Sequence, residues 1–244
     1  MKNKTILITG ASSDIGEKLI QSVYSQFDTI IAVYNSSDKN LLKLKKIYKD
    51  KLFIYKVNFL SDTSLDDFIE NIKTKHSNIT HIIHLASGKI TNRKFKDLTW
   101  SDYNEAINIQ LRSIIKILSA ILPQMVKNKY GKIVFMLTSC TLNVPPKYLS
   151  DYVTAKYALL GLMKSLAVEY ADKHININAI SPSMIETKFL ENIPELVIKS
   201  NAQNNPMKRN AGVDDITPAL KFLISEDIEY ITGQNICISG GSVF

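Results

Sequence analysis

Cysteine is scarce: Cys140 and Cys237 are the only two in 244 residues. They lie far apart and form no CxxC pair, which excludes a disulfide framework and a dithiol redox motif, and a reducing cytoplasm is the expected compartment. Long apolar runs are also missing. No stretch of about 18 consecutive apolar residues occurs, so no membrane-spanning helix is expected. The apolar start at Ile6-Leu7-Ile8 breaks at Thr9-Gly10, too short for the core of a secretory signal. The four histidines, His76, His81, His84 and His174, lack the companions of a metal site and are read as core or surface residues, so no metal is expected. The net charge of +7 raises the question of a polyanionic partner, but the basic residues are scattered. Their two modest clusters, LKLKKIYKDK (42–51) and KNKYGK (127–132), read as solvated helix face or loop. No helix-turn-helix, zinc-finger or aromatic RNA-binding signature accompanies them, and nucleic acid is not an expected partner.

What the chain does contain is a recurring pair of patterns. Apolar strand-like runs rich in Ile and Val stand at 5–9, 29–34, 52–57, 81–85, 132–137, 175–180 and 235–238. Between most of them lie segments of helical periodicity at 15–26, 65–75, 103–127 and 152–173. Strands buried on both faces and alternating with helices predict an α/β fold: a doubly wound parallel sheet with helices on both faces. No Pro/Gly/Ser-rich linker or internal repeat divides the chain, so one domain over 1–244 is expected.

In such a sheet, ligands sit at the carboxyl ends of the strands, where the strand order reverses. The first run ends in TGASSDIG (9–16). Gly10 permits a tight turn, Gly16 lets a helix pack closely on the sheet, and the backbone N–H groups at the helix start are suited to a pyrophosphate. On these residues alone an ordinary strand-to-helix turn fits equally well. A second constellation lies further on. Ser139 follows the run KIVFML, and Tyr152-Val-Thr-Ala-Lys156 opens an apolar helical segment. Residues four apart share a helix face. A phenol, with a free pKa of about 10, is a poor acid at neutral pH, and a neighbouring ammonium would lower it towards proton transfer. A serine hydroxyl at an adjacent strand end would hold a substrate carbonyl beside that phenol. Alone, however, YxxxK is common on helix surfaces.

Taken together, these features resemble the classical short-chain dehydrogenase/reductase family from end to end. TGASSDIG is similar to that family's TGxxxGxG loop. Ser139, Tyr152 and Lys156 match its catalytic serine and YxxxK in order and spacing. Ile177-Asn178-Ala179-Ile180-Ser181-Pro182-Ser183 is similar to the segment that usually ends in Pro-Gly, and YITGQNICISGG (230–241) to its closing strand and loop. The resemblance implies a Rossmann-like fold, a nicotinamide cofactor, and hydride transfer to or from a carbonyl or alcohol carbon. Tyr152 would be the general acid, Ser139 would bind the carbonyl oxygen, and Lys156 would tune the tyrosine and bind the nicotinamide ribose. Cofactor contacts are implied for Gly10, Ser12, Ser13, Asp14, Ile15, Gly16, Asn35, Ser36, Asn58, Phe59, Ala86, Ser87, Pro182, Ser183, Ile185 and Thr187, besides Tyr152 and Lys156. Cys140 is read as packing.

The chain departs from the family pattern at four places. Asp14 replaces a loop glycine, His84-Leu85-Ala86-Ser87 replaces Asn-Asn-Ala-Gly, Gln110 stands for the helix asparagine of the proton relay, and Ser183 replaces the glycine of Pro-Gly. Gln110 retains an amide and a backbone carbonyl for a water-linked relay, and Asn108 lies two residues out of register. Asp14 is expected to cap the helix, with Glu17 completing a capping-box-like pair; the alternative is a carboxylate facing the adenosine ribose or its phosphate.

After the second strand, Asn35-Ser36-Ser37 carries no acid before Asp38, which favours NADP(H) over NAD(H). The segment 185–207 would form a variable substrate lid, with Phe189, Leu190, Ile193, Leu196, Val197 and Ile198 as an apolar cover or as buried core. The substrate is a small carbonyl or alcohol compound, with 3-oxoacyl-carrier-protein reductases the nearest general resemblance. An acidic carrier would meet Lys127, Lys129 and Lys132. The helical segments at 103–127 and 152–173, apolar around much of their surface, point to a homo-oligomer, dimer or tetramer. The rival is a catalytically idle cofactor-binding scaffold or redox sensor, against which the retention of Ser139, Tyr152 and Lys156 counts.

Overall fold

The computed structural model describes residues 4–37 and 39–243. Among these, the Ile- and Val-rich runs form seven strands: β1 (Thr5–Thr9), β2 (Thr29–Tyr34), β3 (Leu52–Lys56), β4 (His81–His84), β5 (Gly131–Met136), β6 (Ile175–Pro182) and β7 (Asn235–Ile238). All pair in parallel, in the order β3-β2-β1-β4-β5-β6-β7. Between them run α1 (Asp14–Val23), α2 (Lys39–Tyr48), α3 (Asp62–Lys75), α4 (Trp100–Ile107), α5 (Ser113–Asn128), α6 (Ser150–Glu169), α7 (Glu195–Asn204) and α8 (Val213–Leu223). This is the doubly wound α/β sheet that the alternation of patterns predicts.

The strands read as continuous apolar runs because both their faces are covered. Successive side chains point to opposite faces. Leu7, Ile31, Val33, Ile82, Ile133 and Phe135 therefore pack against α3, α5 and α6, through Phe68, Ile117, Leu159 and Met163. Ile6, Ile8, Ile30, Ala32, Ile83 and Val134 pack against α1, α2 and α8, through Leu19, Ile20, Leu41 and Leu220. Truncating one of these buried side chains to alanine costs about 2–5 kcal/mol, so each layer is held by many such terms.

The basic cluster at 42–51 begins on α2, whose Leu41 and Leu44 enter the core while Lys43 and Lys46 stay exposed and Lys45 lies half-buried over the Phe53 ring. Lys132 behaves otherwise. It is 2% exposed and its ammonium donates to the carbonyl of Ile228 at 2.5 Å, so it is unable to meet an acidic carrier surface; Lys127 and Lys129 remain exposed.

Helices α4 and α5 form one helical stretch through a π-helical turn at Asn108–Arg112, where the Ser113 N–H donates to the Asn108 carbonyl. By length and composition Trp100–Asn128 is apolar enough to cross a membrane, with a mean hydropathy of 1.3. Its apolar residues have a different use, since Ile114, Ile117, Leu118, Ile121 and Leu122 are buried in the core. The strand order reverses between β1 and β4, which opens a crevice at their carboxyl ends.

Candidate active site

The crevice begins where β1 runs into α1. Gly10 has φ of +65°, and a Cβ on it would lie 2.9 Å from the backbone of Leu85 and Ala86. A side chain at Gly16 would strike the Ala11 backbone at 2.7 Å. The two glycines thus let the loop after β1 press against the loop after β4 and against its own helix. Thr9 joins the same contact, its hydroxyl accepting from the Ala86 N–H at 3.3 Å.

Ser13, not Asp14, caps α1. Its hydroxyl accepts from the Gly16 N–H at 3.1 Å and donates to the Gly10 carbonyl at 2.8 Å. Asp14 is the first helical residue, and Glu17 accepts from the Asn40 side chain instead of closing a capping box. The expectation that Asp14 caps the helix is corrected on this point, because Ser13 already occupies the extended cap position. The Asp14 carboxylate reaches across the crevice to Lys188.

The second wall is the carboxyl end of β5. Ser139 opens a 3-10 turn, Ser139–Thr141, with two residues between it and the end of that strand. Tyr152 and Lys156 lie one turn apart on α6, and the Lys156 ammonium stands 5.5 Å from the centroid of the Tyr152 ring. Thr138, the residue before Ser139, hydrogen-bonds the Tyr152 side chain. Lys156 is 2% exposed and donates to the Met136 carbonyl at 2.8 Å. Burial pushes the lysine down to about 7. Burial also pushes the Tyr152 phenol up, against the smaller lowering effect of Thr138. The sequence argument that the ammonium lowers the phenol is therefore not met by the chain alone, since desolvation acts on both groups and dominates.

Gln110 lies within the π-helical turn, 1% exposed, with its side-chain Oε1 buried and unpartnered. Its backbone carbonyl accepts from His84 Nε2 at 2.8 Å. Ser87 also carries a buried, unpartnered hydroxyl, next to buried Ala86.

Other candidate residues differ in what they present. Asn35 and Ser36 are exposed beyond β2, while Asp38, which bounds the acid-free stretch there, lies outside the described residues. Asn58 uses its Oδ1 to accept from the Leu60 N–H at 3.0 Å. Phe59 packs its side chain in the core, and its carbonyl accepts from Arg112 at 2.7 Å. Pro182 ends β6, and the Ser183 N–H donates to Ile238 at 3.0 Å. Ile185 bridges Ala211, and the Thr187 hydroxyl donates to the Ile185 carbonyl at 3.4 Å.

Between 185 and 207 only a few residues are sequestered. Leu190 and Asn205 are buried, whereas Leu196 is 79% exposed and α7 buries none of its residues. The alternative that this segment is core is thereby excluded. Two residues at the site were not candidates from the sequence. Thr138 is visible there only as a neighbour of Ser139, and His84 is marked only by its departure from the family motif.

The crevice fits a nicotinamide dinucleotide in its backbone. The cradle at Gly10 and Gly16 excludes side chains, and by helix geometry the first-turn N–H groups of Asp14 and Ile15 have no intrahelical acceptor. Among the described residues no cluster of His, Cys, Asp or Glu is arranged to hold a metal ion.

Comparison with known proteins agrees with this geometry. A model of the family described as enoyl-(acyl carrier protein) reductase matches residues 10–242. The 3-oxoacyl-[acyl-carrier-protein] reductase FabG of Buchnera aphidicola subsp. Baizongia pistaciae is 28% identical over 238 residues, covering 98% of this chain and 96% of that protein. Oxidoreductase UcpA of Escherichia coli (strain K12) is 30% identical over 251 residues, covering 99% and 95%. Among solved structures, ElxO with NADP bound is similar with a TM-score of 0.87 at 25% identity, covering 98% of both chains. YwfH, described as an NADPH-dependent reductase involved in bacilysin biosynthesis, shares the fold with a TM-score of 0.87 at 20% identity, covering 99% of both chains. With the loop, the serine turn and the tyrosine–lysine helix in one crevice, the chain belongs to the short-chain dehydrogenase/reductase family, as an NAD(P)-dependent oxidoreductase of the FabG-like classical type.

Proposed function

We propose that this chain is a ketoreductase: it reduces the carbonyl carbon of a small or carrier-bound substrate, with NADPH preferred to NADH. The observation that carries the reading is Tyr152 and Lys156 packed within 5.5 Å on one helix face beside the serine turn that ends β5. The bound nicotinamide supplies the hydride.

Tyr152 holds the proton destined for the carbonyl oxygen, and its raised pKa keeps the phenol protonated until that oxygen gains charge. Ser139 offers a hydroxyl to the same oxygen. Lys156, held near 7, takes up a proton readily as negative charge develops on the phenol beside it. The Gln110 carbonyl and its unpartnered Oε1 offer acceptors through which water would return a proton to that pair. Ser12, Ser13, Ile15, Asn58, Ala86, Ser87, Pro182, Ser183, Ile185 and Thr187 line the cofactor path in this reading. The exposed, uncharged Asn35 and Ser36 favour the 2′-phosphate by carrying no carboxylate against it. Preference for the 3-oxoacyl thioester class rests on the FabG relatives.

The whole chain acts as one unit, with 185–207 as its lid, in a reducing cytoplasm that suits two free cysteines. Ile115 on α5 and Tyr157 and Val168 on α6 stay exposed and apolar, which supports a dimer or tetramer built on these helices. Light scattering at micromolar concentration is expected to give two or four chains, and a monomer would refute that assembly. Activity is tested by following NADPH and NADH absorbance with a panel of ketones, 3-oxoacyl thioesters and enoyl thioesters. Oxidation of NADPH with a ketone or 3-oxoacyl thioester is expected; turnover of enoyl thioesters alone would refute the ketoreductase assignment.

A further inference from the structure

The chain from 187 to 191 is tied to three separate elements. The Lys188 backbone N–H donates to Asp14 Oδ2 at 2.8 Å, and the Lys188 ammonium lies 3.4 Å from Asp14 Oδ1. The Phe189 ring stands 6.4 Å from the ring of Tyr152. Glu191 pairs with Lys89, on the loop after β4, at 3.2 Å. Phe189 thus stands beside the tyrosine ring, between two residues that are each tied to another part of the chain.

These contacts differ in weight. Both ammonium groups are largely exposed, and exposed ion pairs contribute little. The bond from the Lys188 N–H is of another kind. Its acceptor is a charged oxygen, which makes it roughly twice as strong as a neutral bond. Lys188 is exposed and water weakens this bond too, but Asp14 is only 26% exposed at its side chain and fixes main chain rather than a flexible side chain. The residue that forms it stands where the family loop carries glycine, which has no side-chain acceptor. A carboxylate beside a dinucleotide site is unfavourable in itself, yet here it has a defined partner 174 residues away.

We propose that Asp14 is a positioning residue: by accepting the Lys188 N–H it fixes the lid backbone so that Phe189 roofs the catalytic Tyr152 and shapes the space offered to an apolar carbonyl substituent. The link to catalysis rests on the ketoreductase reading; the link between Asp14 and the lid does not.

Hydrogen–deuterium exchange on the full chain separates the two. Asp14→Gly is expected to raise exchange at the Lys188 amide about tenfold, the factor that ~1.4 kcal/mol produces. The amides of Leu19 and Ile20 in the same helix should keep their protection. Asp14→Asn, which retains an acceptor oxygen, should restore most of the protection, and Lys188→Met should leave it intact because the donor is backbone. With a ketone identified from the panel, Asp14→Gly should raise KM several-fold even at saturating NADPH, and Asp14→Asn should rescue it. Unchanged exchange at Lys188 in Asp14→Gly would overturn the proposal. So would a rise shared by Leu19 and Ile20, or an effect confined to the NADPH dissociation constant. A protein that binds no nicotinamide cofactor while showing the exchange pattern would remove the ketoreductase reading and leave the Asp14 anchor standing.

Discussion

His84 links the first strand to the helix that bears Gln110, donating from Nε2 to the Gln110 carbonyl at 2.8 Å while its Nδ1 lies 2.8 Å from the Thr9 hydroxyl. The carbonyl only accepts, so Nε2 carries the proton. Burial holds the imidazole down at about 3, hence neutral, and Nδ1 therefore accepts from Thr9. One ring thus fixes the backbone acceptor at the π-helical turn relative to the loop that cradles the cofactor.

A pH dependence follows from that ring. In the unfolded chain a histidine titrates near 6.5, and in the fold it stays neutral down to about 3. Below 6.5 the unfolded state binds a proton that the folded state refuses, so stability falls as pH drops from about 6.5 towards 3. His81, held at about 3 by burial and by Lys132, adds to the same slope. His84→Gln, which keeps a donor and an acceptor, should reduce the acid sensitivity without removing it. Urea midpoints between pH 4 and 7 read the slope, and an unaltered slope would mean that His84 does not titrate as described.

Tyr152→Phe removes the phenolic proton and keeps the ring against Phe189. Turnover of the ketone should fall by roughly 10²–10⁴-fold, the range for loss of a general acid, with NADPH affinity nearly unchanged. Retention of most of the activity would mean that another group supplies the proton.

Lys156 illustrates a conflict between function and stability. Its ammonium is buried with a single hydrogen bond, to the Met136 carbonyl. Its pKa is about 7 in the fold against 10.5 in the unfolded chain, so between these values the unfolded state binds more protons and stability rises with pH. Lys156→Met should therefore abolish turnover yet stabilise the protein by ~1–2 kcal/mol near pH 6. That advantage should shrink as the pH passes from 7 towards 10. Chemical denaturation of both proteins at pH 6 and 9 checks the sign.

Much of the fold was legible because a strand buried on two faces leaves an unbroken apolar run in the sequence. TIIAVY at 29–34 and NICI at 235–238 begin and end where the structure puts β2 and β7. The serine, tyrosine and lysine were legible for a different reason: their order and spacing resemble a family motif, whereas YxxxK alone is common on helix surfaces. The π-helical turn was not. It interrupts a continuous apolar pattern without a proline or glycine to mark it, and only the misalignment of Gln110 with Asn108 hinted at it. Nor was the partner of Asp14 legible, because no local pattern joins positions 174 residues apart. The burial of Lys132 escaped for a related reason: a lysine in a basic cluster reads as solvated until the Ile228 carbonyl is found above it.

Cofactor preference should respond to a single charge at the exposed end of β2. Asn35→Asp places a carboxylate where the ribose 2′-position is expected, which repels a 2′-phosphate and accepts from a 2′-hydroxyl. The NADPH-to-NADH ratio of dissociation constants should shift towards NADH by about tenfold, ~1.4 kcal/mol. Equilibrium titration of both cofactors measures it, and a ratio that does not move would place Asn35 away from the adenosine ribose.

The sheet order has a consequence for how this chain is made. β1's neighbour β2 is encoded only 24 residues after it, but its other neighbour, β4, is encoded 75 residues after it. At about 5–20 residues per second of synthesis, the strand destined for the middle of the sheet spends roughly 4–15 s as an open edge on the ribosome. Finished proteins blunt such edges with lysine, proline or bulges. TILIT has none of these, since its two faces must disappear into the core. During that interval the nascent chain presents its stickiest backbone to whatever is nearby, and a mutation that delays β4 would lower yield without weakening the finished enzyme.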